Sequence, residues 1–291
     1  MALRDLKSLY PFQSNYLTLE GRRLHYVDEG TGPVVLMLHG NPTWSFYYRD
    51  LIKGLRDGFR VVAPDHMGCG LSDKPQNYPY TLATHIANLR ALIDHLKLTD
   101  ITLAVHDWGG AIGFGWAMQH PELVRRLVLF NTATFPGPCP RRIRICTWPV
   151  FGAVAIRTFN AFAVAAVHTA CKNRARMTPL VKRGYLLPYD TWANRIANLR
   201  FVQDIPLRAT HPTYPLIKKI ESSLVQYRDR PALICWGGQD FCFNDWYLAE
   251  WRKRLPGAEV HRFDDAGHYV VEDAHERILP LLRKFLSEWT D

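Results

Sequence analysis

The sequence predicts an α/β fold, a mostly parallel eight-stranded sheet flanked by helices, with a helical cap inserted after the sixth strand. Three observations predict it. Continuous apolar runs at Val34–Leu38, Val61–Ala63, Ile101–Val105, Leu127–Phe130 and Ala232–Trp236 suit strands covered on both faces. Helix-patterned stretches separate those runs. The alternation breaks once, over residues 136–212, where helix-favouring patches occur without a convincing strand.

Taken in order, Tyr16–Gly21 and Arg23–Asp28 alternate apolar and polar residues around Glu20-Gly21, the pattern of a leading antiparallel hairpin. Thr81 caps a helix in which Leu82, Ile86, Leu89, Leu92, Ile93 and Leu96 share a face. A further helix is expected over Ala111–His120. Pro136-Gly137-Pro138 and Pro140 open the insertion and His211-Pro212 closes it, so residues 1–135 and 213–291 form the main domain and 136–212 the cap. Within the cap, the apolar stretch Trp148–Ala170 is interrupted by Arg157, Asn160 and His168. A mid-segment arginine costs roughly 2.5–3.5 kcal/mol in a bilayer, so this stretch reads as a buried or partly exposed cap helix. A helix over Pro215–Tyr227 leads into the run at Ala232. Ala258–Phe263 supplies the last strand, and a helix of about Glu272–Trp289 ends the chain, with Ile278, Leu281, Leu282, Phe285 and Trp289 at helical spacing.

A composition of 47% hydrophobic and 22% charged residues excludes disordered and low-complexity classes. Six cysteines show no CxxC and no metal-ligand spacing with histidine, so reduced thiols, no metal and no cofactor are expected, with Cys235 buried in its apolar run. The first residues lack the apolar segment of a secretory signal, and a reducing cytoplasm fits both features. The net charge of +9 is unevenly spread: residues 136–230 hold 16 Lys/Arg against 4 Asp/Glu, and the rest hold 20 against 23. No stacking-aromatic or zinc module accompanies the basic segment, so nucleic acid is not an expected partner. Contact with a membrane surface or a protein partner through the basic cap, or homo-oligomerisation, remains open.

Chemistry concentrates in a few loops. Val105-His106-Asp107-Trp108-Gly109-Gly110 follows an apolar strand and opens a helix, the setting of a nucleophile elbow, with Asp107 at the apex where such turns usually carry serine. A carboxylate attacks an sp³ carbon bearing a leaving group and forms an alkyl ester, and it is poorly suited to peptidase or lipase chemistry. Hydrolysis of such an ester needs a base, and His268 follows the last strand. A carboxylate must orient that base. Asp240, after the preceding strand, is the choice over Asp264 and Asp265, while the loop after Phe130 offers Asn131-Thr132-Ala133 and no acid. The loop His39-Gly40-Asn41-Pro42-Thr43-Trp44 faces the elbow in such a fold. Backbone N–H groups near Asn41 and Trp108, with their side-chain amide and indole, would stabilise a departing anion.

This set resembles the haloalkane dehalogenases of the α/β-hydrolase superfamily. The likeness rests on His39–Trp44, on Asp65 with Gly68-Cys69-Gly70-Leu71-Ser72-Asp73-Lys74-Pro75, on Val105–Gly110 and on Gly267-His268, and it spans essentially the whole chain. It implies Asp107 as nucleophile, His268 as base and Asn41 with Trp108 as the halide-stabilising pair. That pair, with the acid at Asp240, is similar to the family's third subfamily. The implied reaction is carbon–halogen cleavage of a small apolar substrate. The cap motifs Pro188–Arg195 and Phe201–Pro206 also resemble relatives in olefin biosynthesis that decarboxylate long-chain cis-β-lactones with the same Asp/His/Asp set. Two further readings remain: an epoxide hydrolase using Tyr185 and Tyr189 as proton donors, and a non-catalytic receptor of the same fold.

Overall fold

The apolar runs become strands in a computed structural model that describes residues 3–288; Trp289, and the start of the chain at Met1-Ala2, lie outside the described residues. Among the described residues, eight strands form one sheet in the order β1-β2-β4-β3-β5-β6-β7-β8. These are β1 (Asn15–Leu19), β2 (Arg22–Glu29), β3 (Val34–Leu38), β4 (Arg60–Pro64), β5 (Ile101–Asp107), β6 (Val124–Thr132), β7 (Ala232–Gly237) and β8 (Glu259–Phe263). β1 and β2 form the expected hairpin, β2 runs antiparallel to β4, and every other pairing is parallel. The chain leaves β3 for β4 on one side and then crosses to β5 on the other. The loops after β3 and β5 therefore diverge at a topological switch point, where a crevice opens at the carboxyl ends of the strands.

Helices cover both faces. On one lie α2 (Leu82–Leu96), α3 (Trp108–Ala117), α9 (Tyr214–Ser223) and α10 (Asp245–Arg254), burying Ile86, Leu89, Ile112, Phe114, Ile220 and Trp251 against Leu103, Leu127 and Ile234. On the other lie α1 (Arg49–Leu55) and α11 (Val270–Ser287), whose Leu51, Ile52, Ile278 and Leu282 pack on Val35, Ala104, Val128 and Leu233. Alternate residues of β5 and β6 thus serve opposite cores, which is why their sequence reads as an unbroken apolar run. Several helix bounds differ from expectation. α3 begins directly at Trp108 rather than at Ala111 and ends at Ala117, because the strand turns into the helix at Asp107 with no intervening loop. The helix expected over Pro215–Tyr227 stops at Ser223 and finishes as a 3₁₀ turn over Leu224–Tyr227.

Between β6 and β7 the chain forms α4 (Arg141–Cys146), α5 (Pro149–Gly152), α6 (Ala161–Thr169), α7 (Pro179–Leu186) and α8 (Ile196–Gln203). The stretch Trp148–Ala170 is not the single helix its apolarity suggested. It passes through a π-helical turn at Ala153–Thr158 and bends by 71° before α6, with Asn160 in the left-handed region at φ 51°. Among the described residues no single helix is long and apolar enough to cross a membrane.

A buried ion pair ties this segment to the sheet. Arg49 on α1 donates two 2.7 Å hydrogen bonds to Glu272 on α11, and the Tyr185 hydroxyl of α7 donates a third at 2.7 Å. Removing one partner leaves a charge stranded away from water. Glu272→Ala is therefore expected to lower unfolding stability by about 3–5 kcal/mol in chemical denaturation, far beyond what an exposed pair such as Arg125–Asp100 contributes.

Candidate active site

The elbow turns on backbone strain. Asp107 adopts φ 52°, ψ −125°, a region that costs a non-glycine residue about 1–3 kcal/mol and is held only where its surroundings dictate it. They do so here. The Thr132 hydroxyl at the end of β6 donates to the Asp107 carbonyl at 2.6 Å, and the Asn41 backbone N–H donates to Asp107 Oδ1 at 2.8 Å. Gly40 is required by this approach: a Cβ there would stand 2.2 Å from the Asp107 carboxylate. Burial pushes the Asp107 carboxyl above the ordinary aspartate range, opposed by His268 and by the backbone N–H groups of Asn41 and Trp108.

His268 sits after β8, on the far side of β6 and β7 from β5, and must reach back. Its loop lies flat on the end of β7, because Gly237 has no side chain: a Cβ there would meet the Gly267 carbonyl at 2.0 Å. Asn131 occupies the end of β6 for a structural purpose. Its amide donates to the Gly237 carbonyl at 3.0 Å and accepts from the Gly237 N–H at 2.7 Å, stitching β6 to β7. His106, one residue before the nucleophile position, pairs through Nε2 with the His268 carbonyl at 2.9 Å. A carbonyl only accepts, so that nitrogen carries the proton; burial, reinforced by His268, holds the His106 pKa well down and keeps the ring neutral.

His268 Nδ1 lies 2.8 Å from Asp240 Oδ2, and Nε2 lies 3.8 Å from Asp107 Oδ2. Asp240 is itself fixed by the Cys242 N–H, which donates to its Oδ1 at 2.6 Å. The carboxylate of Asp240 sets the tautomer that leaves the Nε2 lone pair facing Asp107. Burial works against the imidazolium, yet Asp240 and then Asp107 outweigh it and raise the His268 pKa above its ordinary value. The competing acids lie elsewhere: Asp264 pairs with Arg262 at the surface and Asp265 with Arg277. Cys242 also lines the site, but burial and the nearby Asp240 push its thiol far up, so it stays protonated and a poor nucleophile.

Asp107, Trp108, Asn41 and His268 line one cavity of about 770 Å³ whose other walls include Ile143, Phe151, Phe162, Val202 and Ile217. The Trp108 indole packs against Phe201 of α8 with ring centroids 5.4 Å apart, and no hydrogen bond to its N–H is present among the described residues. Asn41 Nδ2 donates one hydrogen to the Asn198 carbonyl at 3.1 Å, which orients the amide and leaves its second hydrogen unused. All five residues singled out from the sequence therefore converge. The two tyrosines do not: the Tyr185 hydroxyl is committed to Glu272 and that of Tyr189 donates to the Thr43 carbonyl at 3.2 Å, and neither lines the cavity. The proton donors that an epoxide-opening reading assigns to Tyr185 and Tyr189 are therefore not at this site.

Sequence reasoning missed Asp273. Its buried carboxylate accepts from the backbone N–H groups of Lys172, Asn173 and Gly267 at 2.7–3.0 Å, joining the segment after α6 to the His268 loop. Lys172 and Asn173 lie about 100 residues before Asp273, a separation that gives no local signal.

The sequence matches the α/β-hydrolase fold family over residues 33–274. It is 46% identical over 290 residues to a cis-3-alkyl-4-alkyloxetan-2-one decarboxylase of Shewanella oneidensis, covering 97% of this chain and 91% of that protein. It is 32% identical over 277 residues to haloalkane dehalogenase 2 of Mycobacterium bovis, covering 93% of each. Among solved structures it is similar to a variant of the haloalkane dehalogenase DatA from Agrobacterium tumefaciens, with a TM-score of 0.86 at 25% identity, covering 97% of this chain and 99% of that one.

Proposed function

The chain belongs to the α/β-hydrolase fold family as a haloalkane-dehalogenase-like enzyme, and from that premise we propose that it decarboxylates cis-dialkyl β-lactones to alkenes, with Asp107 as nucleophile. The cavity carries this reading. At about 770 Å³, with walls that include Ile143, Phe151, Phe162 and Val202, it has room for alkyl chains well beyond what a short haloalkane fills. The relatives at 46% and 47% identity are cis-3-alkyl-4-alkyloxetan-2-one decarboxylases, which supports the same reading.

The reaction follows from the ring. Asp107 attacks the sp³ ring carbon that bears oxygen, forming a C–O ester bond as the ring C–O bond breaks; the electron pair stays on what becomes a free carboxylate. Attack at the carbonyl would instead give a mixed anhydride, whose hydrolysis leads to a hydroxy acid and no alkene. Backside attack leaves the new ester bond antiperiplanar to the bond holding the carboxylate. Loss of CO₂ then sends its electron pair into the C=C bond and expels Asp107 as carboxylate, so a cis lactone yields a cis alkene without rotation. No water is consumed. Trp108 Nε1–H and the second Asn41 amide hydrogen hold the new carboxylate, while Asp240 and His268 keep positive potential beside Asp107. Residues 136–212 act as the cap that closes over the alkyl chains, and its exposed basic face is the contact surface of the enzyme.

Halide displacement is the second reading, favoured by the unengaged Trp108 indole beside Asn41. There Asp107 expels halide and His268, steered by Asp240, draws a proton from the water that hydrolyses the ester. Purified protein given a cis-dialkyl β-lactone and a series of 1-haloalkanes separates the two: rapid alkene with trace halide supports decarboxylation, and halide release without alkene overturns it.

The two steps also differ in pH dependence. Alkene formation needs Asp107 ionised, so its rate falls about tenfold per unit as pH drops through that raised carboxyl pKa, and it needs no free base. Ester hydrolysis needs His268 neutral, so its rate rises with pH through the raised histidine value. Steady-state pH profiles on a lactone and a haloalkane are expected to show acid limbs in that order, the lactone's at lower pH.

A further inference from the structure

We propose that the outer face of the cap docks on the headgroup region of an anionic lipid bilayer, with the mouth of the cavity opening into it, so that alkyl substrates pass from lipid to Asp107 without crossing water. Val150 is 78% exposed, Phe159 70% and Trp148 60%, an unusual density of large apolar side chains for a surface. Arg141, Arg142 and Arg144 are exposed beside them, and residues 136–189 contain no aspartate or glutamate. Phe151, Ile145, Arg142 and Arg144 are exposed and also line the cavity, so the cavity reaches the surface on this face.

Charge selects the occupant. Each arginine near an anionic leaflet contributes favourably, and tryptophan and phenylalanine settle at headgroup depth. A symmetric contact between two copies through this face would set Arg141, Arg142 and Arg144 of one against those of the other, within a segment that has no acidic residue to pair them. The 71° bend after the π-helical turn keeps the apolar pieces too short to span and disposes them to lie in the interface. The inference rests on an alkyl-substituted, lipid-partitioned substrate, and vesicle binding without substrate tests it separately from that reading.

The full chain is mixed with vesicles of phosphatidylcholine, with and without phosphatidylglycerol, and sedimented without substrate. Binding to the anionic vesicles, weakened by salt, is expected. Trp148→Ser, Val150→Ser and Phe159→Ser combined should reduce it about tenfold or more, while the melting temperature and the turnover of a short-chain soluble substrate hold and turnover of a long-chain substrate carried in vesicles falls. Absence of binding to anionic vesicles overturns the proposal, as does binding undiminished in the triple variant. Self-association in light scattering that the triple variant abolishes, with no vesicle binding, would assign the face to a protein contact and overturn it equally.

Discussion

Asp107→Ala is expected to abolish alkene formation from β-lactones and halide release from haloalkanes alike, by about 10⁴-fold or more. In both proposed reactions the step that breaks the substrate bond is attack by this carboxylate, and in that step the groups around it only stabilise charge. The neighbouring nucleophile by type, Cys242, is held protonated by burial and Asp240 and cannot substitute. The loss will not be one of folding. Removing a buried carboxylate whose pKa is raised by desolvation relieves a cost. The strain at φ 52° stays with alanine and the Asn41 N–H loses its acceptor, which offsets that relief. The variant should therefore stay folded and melt near the wild-type temperature, so that the lost turnover reports chemistry. Undiminished turnover on both substrates would remove Asp107 from the mechanism.

The second large effect is selective. His268→Phe keeps a ring to pack against Phe243, whose centroid lies 5.8 Å from the imidazole, and removes the base facing Asp107. With a haloalkane the expected result is one halide released per site and then arrest, the alkyl ester persisting because its hydrolysis loses about 10²–10⁴-fold. With a lactone the ester decays by losing CO₂, which needs no base, so continuous alkene formation should persist. Its acid limb should move to higher pH, because His268 is the main group favouring the ionised Asp107. Equal arrest on both substrates would mean that the lactone route also passes through water.

The parts of the fold that were legible in the sequence are those whose signal is local. Val34–Leu38 is a strand between the same residues as expected, and Ala232–Trp236 is extended only by Gly237, because each is a short continuous apolar run that starts directly after a proline, Pro33 or Pro231, as suits a doubly covered strand. Asp107, His268, Asp240, Asn41 and Trp108 were legible because each sits at the carboxyl end of a strand or within a few residues after it, and the strand order then brings those ends together. What lay hidden depends on distant partners. Asp273 and Glu272 read as the acidic first turn of a helix. Only the fold shows one gathering backbone N–H groups from residues 172, 173 and 267, and the other neutralising Arg49. The break in Trp148–Ala170 was equally hidden. Its apolarity predicts a helix, and nothing in the local pattern announces the left-handed Asn160 that turns it.

Turnover of a cis-dialkyl β-lactone in ¹⁸O-labelled water, followed by mass analysis of the products and of the peptide containing Asp107, tests the water-free ring opening directly. A cis alkene with CO₂ and an unlabelled Asp107 carboxylate is the predicted result. A hydroxy acid in place of the alkene, with ¹⁸O in the Asp107 side chain, would contradict it.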